Sequence, residues 1–174
     1  MELDLDVCRM NIRNVFVQIS SCALSLVSLF ITAKKPEVSL ILDSVPKLPN
    51  LKKLRLAVGG SGYDCLLFLA SIMNACPKLE TFSIKPCWTP PIISSKKARD
   101  ATNPHKHLKL VEIAEYKGRK CDYELAVYII QTAAVALKKI VIAIERNPKK
   151  EEAARSSAER IKSIKPQGVE LVIV

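Results

Sequence analysis

Two histidines, His105 and His107, lie two positions apart. On a strand that spacing puts both side chains on one face, where they could grip a metal ion. A site of three or four ligands would need more, and Asp100 is the one carboxylate close by, so no metal is expected. The run Gly59-Gly-Ser-Gly62 follows a strand-like stretch and precedes a helix-like one, which is where a phosphate-binding loop would sit. It has neither the Walker Lys-Ser/Thr pair nor a full G-x-G-x-x-G, and a turn at the rim of the fold is the expectation. The six cysteines, at positions 8, 22, 65, 76, 87 and 121, are never two to four residues apart, which excludes paired zinc ligation. They fall beside apolar positions, where a free thiol behaves as a small hydrophobe, and are expected to be buried and reduced. No serine or cysteine has a nameable base partner. The chemistry-bearing residues therefore predict no enzyme: no catalytic residue and no cofactor.

What the chain does carry is a repeat. Leu-x-x-Φ-x-Φ, with Φ apolar, occurs as Leu51/Leu54/Leu56, Leu79/Phe82/Ile84, Leu108/Val111/Ile113 and Leu137/Ile140/Ile142. The leading leucines are 28, 29 and 29 residues apart. A fainter copy reads Leu24/Val27/Leu29, and a degenerate one follows with Pro166 in the leucine slot and Val169/Leu171 behind it. Periods of about 20–29 residues with an L-x-x-L-x-L core are leucine-rich repeats, each supplying a short parallel strand and a return segment. The predicted fold is an α/β solenoid, with parallel strands on the concave face and helices outside, forming one domain over 1–174. Residues 1–37 read as an atypical or truncated repeat and 38–106 as repeat units.

Three return segments read as helices: Asp64–Cys76 with Leu66, Leu69, Ala70 and Met73 inward; Tyr123–Ala136 with Asp122 as N-cap and Leu125, Ile129, Ala133 and Ala136 inward; and Glu151–Ile164 on Ala154, Ala158 and Ile161. Pro36–Asn50 alternates through Val38, Leu40 and Leu42 before a turn. The segment 85–107 holds four prolines and five basic residues against Asp100, and predicts a long surface loop. Val15–Ala33 is apolar, but Gln18 and four serines interrupt it, so a strand in register with the repeats fits better than a membrane span or a signal segment. The lack of Asn-x-Ser/Thr and of paired cysteines points to a cytoplasmic or nuclear protein.

The second half has a family likeness. His107-Leu-Lys-Leu-Val-Glu-Ile, the turn Tyr116-Lys-Gly118, and Glu124-Leu-Ala-Val-Tyr-Ile-Ile-Gln-Thr-Ala closing on Leu137-Lys-Lys-Ile-Val-Ile resemble the FBD motif of plant F-box/LRR proteins. Residues 107–174 are FBD-like on that basis, and Leu48-Pro-Asn-Leu-Lys-Lys-Leu-Arg-Leu is similar to the repeats that precede the motif there. In that family an N-terminal F-box docks on the Skp1 adaptor of a cullin ubiquitin ligase, and the repeats recruit the substrate. No Leu-Pro-x-x-x-Leu with its following Trp-Arg precedes the repeats here. The resemblance thus implies a substrate-recognition half, with a Skp1-type partner only where an F-box lies upstream.

If the Φ residues point inward, the residues between them face outward along a binding stripe. Those residues are Lys53 and Arg55, then Thr81, Ser83 and Lys85, then Leu110 and Glu112, and finally Lys139 and Val141. The stripe begins basic and turns mixed and apolar, which suits a protein partner with an acidic end. Net charge is +10, and the rival reading is nucleic-acid or anionic-surface binding through the 85–107 loop. Aromatic residues make up only 5%, which disfavours base-stacking platforms. Leu3, Leu5 and Val7 alternate as a strand with no capping unit before it, so the chain reads as starting partway through an array and is expected to self-associate.

Overall fold

The structure is a computed structural model that describes residues 1–6, 12–33, 45–61, 69–89 and 104–174. Among the described residues, seven strands form one sheet whose spatial order is the chain order. They are β1 (Glu2–Asp6), β2 (Ser28–Ala33), β3 (Lys53–Ser61), β4 (Thr81–Thr89), β5 (Leu110–Tyr116), β6 (Lys139–Ile144) and β7 (Glu170–Ile173). Every neighbouring pair is parallel. Parallel neighbours need a crossover, and the described crossovers hold α1 (Ile12–Cys22), a helical stretch at 69–74, α2 (Lys120–Ala133) and α3 (Glu151–Glu159). At the start of each of β3 to β7, the backbone is tied to the preceding repeat. Lys52 donates to Val27, Glu80 to Lys52, Lys109 to Glu80, Lys138 to Lys109 and Glu170 to Lys138, all at 2.8–2.9 Å. These bonds lock the frame that the leucine spacing predicts.

The Φ positions are the core. Leu54, Leu56, Phe82, Ile84, Val111, Ile113, Ile140 and Ile142 are all buried, and the leading leucines 51, 79, 108 and 137 lie beneath them. Each such side chain contributes about 1.5–3 kcal/mol by leaving water. Among the described residues, the helices cover only this side. Leu125, Ile129 and Ala133 of α2 and Ala158 of α3, with Ile161 just beyond it, join the same cluster.

The ends of the array are framed differently from the expectation. Leu29 pairs with Leu54 and Ile31 with Leu56, so the first copy is Leu26/Leu29/Ile31, two residues later than Leu24/Val27/Leu29. Leu26 is fully buried, while Leu24 and Val27 are exposed. Likewise Leu171 pairs with Ile140 and Ile173 with Ile142, which moves the last copy two residues past Val169/Leu171. The shorter and longer return segments at these ends shift the register, and in the last copy Gly168 takes the leucine slot. Val15–Ala33 is also more than a strand: α1 fills its first half and β2 its end. Among the described residues, no helix is long and apolar enough to cross a membrane.

Other boundaries are corrected as well. α2 begins at Lys120, so Asp122 lies inside its first turn rather than at the cap. Its carboxylate still accepts the backbone N–H of Arg119 at 3.1 Å and of Lys117 at 3.2 Å. The third helix stops at Glu159 and tightens into a 3-10 turn over Arg160–Ser163. Gly59, Gly60 and Ser61 are the end of β3, paired with Cys87, Trp88 and Thr89, instead of a turn. The predicted 85–107 loop begins late, because β4 runs through Pro86 to Thr89. Pairing with β5 ends at Ile84, so the proline's missing N–H is lost on an unpaired side. The rest of that loop to 103, the 36–44 part of Pro36–Asn50, the first turns of Asp64–Cys76, and Val7, Cys8 and Cys65 lie outside the described residues.

Gly118 joins β5 to α2 with φ +72°, a region that favours glycine. A Cβ there would stand 2.5 Å from the Ala154 Cα, which is backbone of α3. Gly118→Ala combines left-handed strain with a clash against atoms that cannot swing aside, and should cost about 2–4 kcal/mol in urea unfolding. Gly168, at φ +83° with nothing near its Cβ position, is the control: Gly168→Ala should cost only about 1–2 kcal/mol.

Candidate protein-binding face

Because side chains alternate across a strand, burying the Φ residues turns the intervening ones to the side without helices. All nine residues of the expected stripe lie on this open face. Lys53 and Arg55 are exposed; Thr81, Ser83, Lys85, Leu110, Glu112, Lys139 and Val141 are half-buried. The register sorts them into rows. Lys53, Thr81, Leu110 and Lys139 stand side by side, as do Arg55, Ser83, Glu112 and Val141.

Most of the charge here is already engaged. The Ser83 hydroxyl donates to Glu112, and Lys139 pairs with Glu170 at 3.2 Å. Lys85 pairs with Glu115 at 2.6 Å, and that carboxylate raises the lysine above its ordinary pKa. Lys53 and Arg55 form no ion pair among the described residues. The Arg55 guanidinium instead lies over the Phe30 ring, 5.9 Å from its centroid. Beside Arg55 the face dips into a groove of about 370 Å³, whose walls include Phe30, Lys85 and Val141 and whose small residues are Ala57, Ala114 and Ala143.

Three parts of this surface escape the repeat motif. Phe30 is hidden by the two-residue slip of the first copy, although Leu26-x-x-Leu29-x-Ile31 was readable as a copy of the motif. Glu115 should point inward by strict alternation from Ile113. A bulge between Ile113 and Tyr116, with Glu115 at φ +52°, turns it outward to Lys85 and turns Tyr116 inward. Buried there, the Tyr116 hydroxyl bonds Ser157 at 3.0 Å, and burial pushes its pKa up to about 12. The β1 column of Glu2 and Asp4 also belongs to the face, since Asp4 pairs with Phe30 while Leu3 and Leu5 turn toward the core.

The residues weighed for chemistry sit elsewhere. His105 is buried and its backbone donates to Thr132, whereas His107 is exposed, so the two do not share a face. Burial lowers the His105 pKa. Among the described residues no three His, Cys, Asp or Glu side chains come together to hold a metal. Cys76 and Cys121 are buried as expected, and burial pushes the Cys76 thiol up to about 12, which keeps it protonated and inert. Cys87 is exposed at the end of β4 and Cys22 half-buried, against the expectation. Of the basic 85–107 segment, Lys85 is in a strand and ion-paired, and Lys96, Lys97 and Arg99 lie outside the described residues.

The family model described as "At1g61320/AtMIF1, LRR domain" matches residues 2–169. Searches of curated proteins and of solved structures return no match. The match spans β1 to the end of the last return segment, and the parallel sheet with one helix-covered face is the architecture such repeats build. The chain therefore belongs to the At1g61320/AtMIF1 family of leucine-rich-repeat domains.

Proposed function

We propose that this chain recruits a protein through the open face of its sheet, as the substrate-recognition half of an F-box/LRR ubiquitin-ligase adaptor. Leucine-rich repeats are protein-interaction architecture, and their strand faces are extended binding surfaces. The observation that carries the reading is the pair Lys53 and Arg55, exposed beside an apolar groove with no ion pair of their own among the described residues. Solvated surface charge needs no such setting. The adaptor role draws on the FBD-like pattern of 107–174, and docking on Skp1 requires an F-box supplied upstream. Such a protein would work in the cytosol or nucleus.

The test compares proteins retained by the unaltered chain with those retained by a Lys53→Glu/Arg55→Glu/Lys85→Glu variant, and by a helix-side control, Lys120→Glu/Arg155→Glu. A defined set should vanish with the first variant and persist with the second. Identical retention by all three rejects the open face. Polyubiquitin on the retained set, dependent on an F-box-bearing form, would separate the adaptor role from simple binding.

A further inference from the structure

The open face holds two kinds of charge. Lys85, Glu112 and Lys139 are satisfied by neighbours on the sheet. Lys53 and Arg55 on β3, and Glu2 and Asp4 on β1, form no ion pair among the described residues. Asp4 and Arg55 belong to one row, yet β2 lies between their strands, which sets their backbones about 10 Å apart. Phe30 fills the gap, and the guanidinium lies over it. Opposite charges are thus held apart on a fixed scaffold, each left to an outside group. From β3 onward the groove beside Arg55 is lined by Ala57, Ala114, Val141 and Ala143, together with Ser83, Lys85 and Glu112, whose polar groups are already paired. Across the strands the face reads acid, aromatic, base, groove.

We propose that the occupant is a protein segment running across the strands with three groups in fixed order. A basic residue sits over Glu2 and Asp4, an acidic residue over Lys53 and Arg55, and an aliphatic residue in the groove. This inference rests on the recognition reading above and names the partner's chemistry. Strand spacing sets the intervals: about 10 Å from base to acid, and about 10–14 Å from acid to aliphatic group. An extended segment covers each in about three to four residues. Exchanging the base and the acid would set like charges against each other at both columns, so the face selects order as well as composition. A uniform polyanion would also meet Glu2 and Asp4, which disfavours a nucleic-acid backbone.

The experiment selects a random-peptide display library on the full chain and measures the enriched peptides by fluorescence anisotropy. Expected is an acidic residue flanked about three residues away by a base on one side and an aliphatic residue on the other. Lys53→Glu/Arg55→Glu should weaken that peptide about tenfold or more and, on reselection, replace its acid by a base. Ala143→Arg should remove the aliphatic preference alone. The charge reversals lie on an exposed surface, and an unchanged circular-dichroism melt will show that the variants fold. Peptides lacking the acid, or unaffected by the reversal, overturn the inference while leaving the recognition reading standing. Absence of enrichment also overturns it, and the retained-protein comparison then decides the recognition reading separately. Binding of a single-stranded oligonucleotide that the reversal abolishes and the peptide does not displace overturns it in favour of a polyanion surface.

Discussion

Replacing Leu54 with aspartate should leave the chain unfolded at room temperature. Leu54 is 1% exposed at the centre of the sheet, paired between Leu29 and Phe82. The substitution removes a fully packed side chain and puts in its place a carboxylate with no donor to satisfy it. Lost burial alone costs about 2–5 kcal/mol, and the unpaired buried charge adds several more. Together these match or exceed the whole stability of an ordinary domain, about 5–15 kcal/mol. Ile113→Asp on β5, in the row of Leu56 and Ile84, should do the same. Far-ultraviolet circular dichroism reads the outcome directly, and a native spectrum with an unchanged melt would mean that the Φ positions are not the core. By contrast, Arg55→Asp, one residue along and on the other face, should melt within about 0.5 kcal/mol of the unaltered chain.

The second large effect lies at the turn into α2. Asp122 is wholly buried there, and its carboxylate gathers four N–H donors. Besides the backbone groups of Lys117 and Arg119, it takes Arg119 Nε at 3.1 Å and a terminal guanidinium nitrogen at 2.9 Å. Asp122→Ala removes the carboxylate these donors share, and with it the ion-pair partner of the half-buried Arg119 guanidinium. Breaking such a pair from one side costs about 3–5 kcal/mol. Asp122→Asn keeps an acceptor oxygen but turns an amide N–H₂ toward other donors, and should fall between. Urea denaturation of the three forms gives the ranking, and an alanine variant within about 1 kcal/mol of the parent would show that water replaces the carboxylate at no cost.

The centre of this fold was readable because one rule repeats. From Leu51 to Ile142 the leucine frame set strand position, inward and outward faces and pairing register together, since a one-residue slip would expose the whole apolar set. It was less readable wherever a local event broke the period. The ends slipped by two residues because Leu24 and Val169 imitate the motif as well as Leu26 and Leu171 do, and only pairing with a neighbour separates them. Asp122 looked like a cap by composition, but the helix already starts at Lys120, because Gly118 admits a reversed backbone just before it. The binding stripe itself was legible as a list of outward residues. Which of its charges remain unsatisfied was not, because that depends on the bulge that aims Glu115 at Lys85 and on Phe30 under Arg55.

Strand order that follows chain order also has a mechanical consequence. Paired residues on successive strands are 26, 25, 28, 29, 29 and 31 positions apart, and among the described residues no strand is inserted between chain neighbours. A pull on the two termini loads one interface at a time, peeling an outer strand from its neighbour like a page from a stack. Each rupture frees about 25–31 residues, or roughly 100 Å of contour at about 3.5 Å per residue. In optical tweezers the chain should therefore extend in a staircase of nearly equal steps at low force.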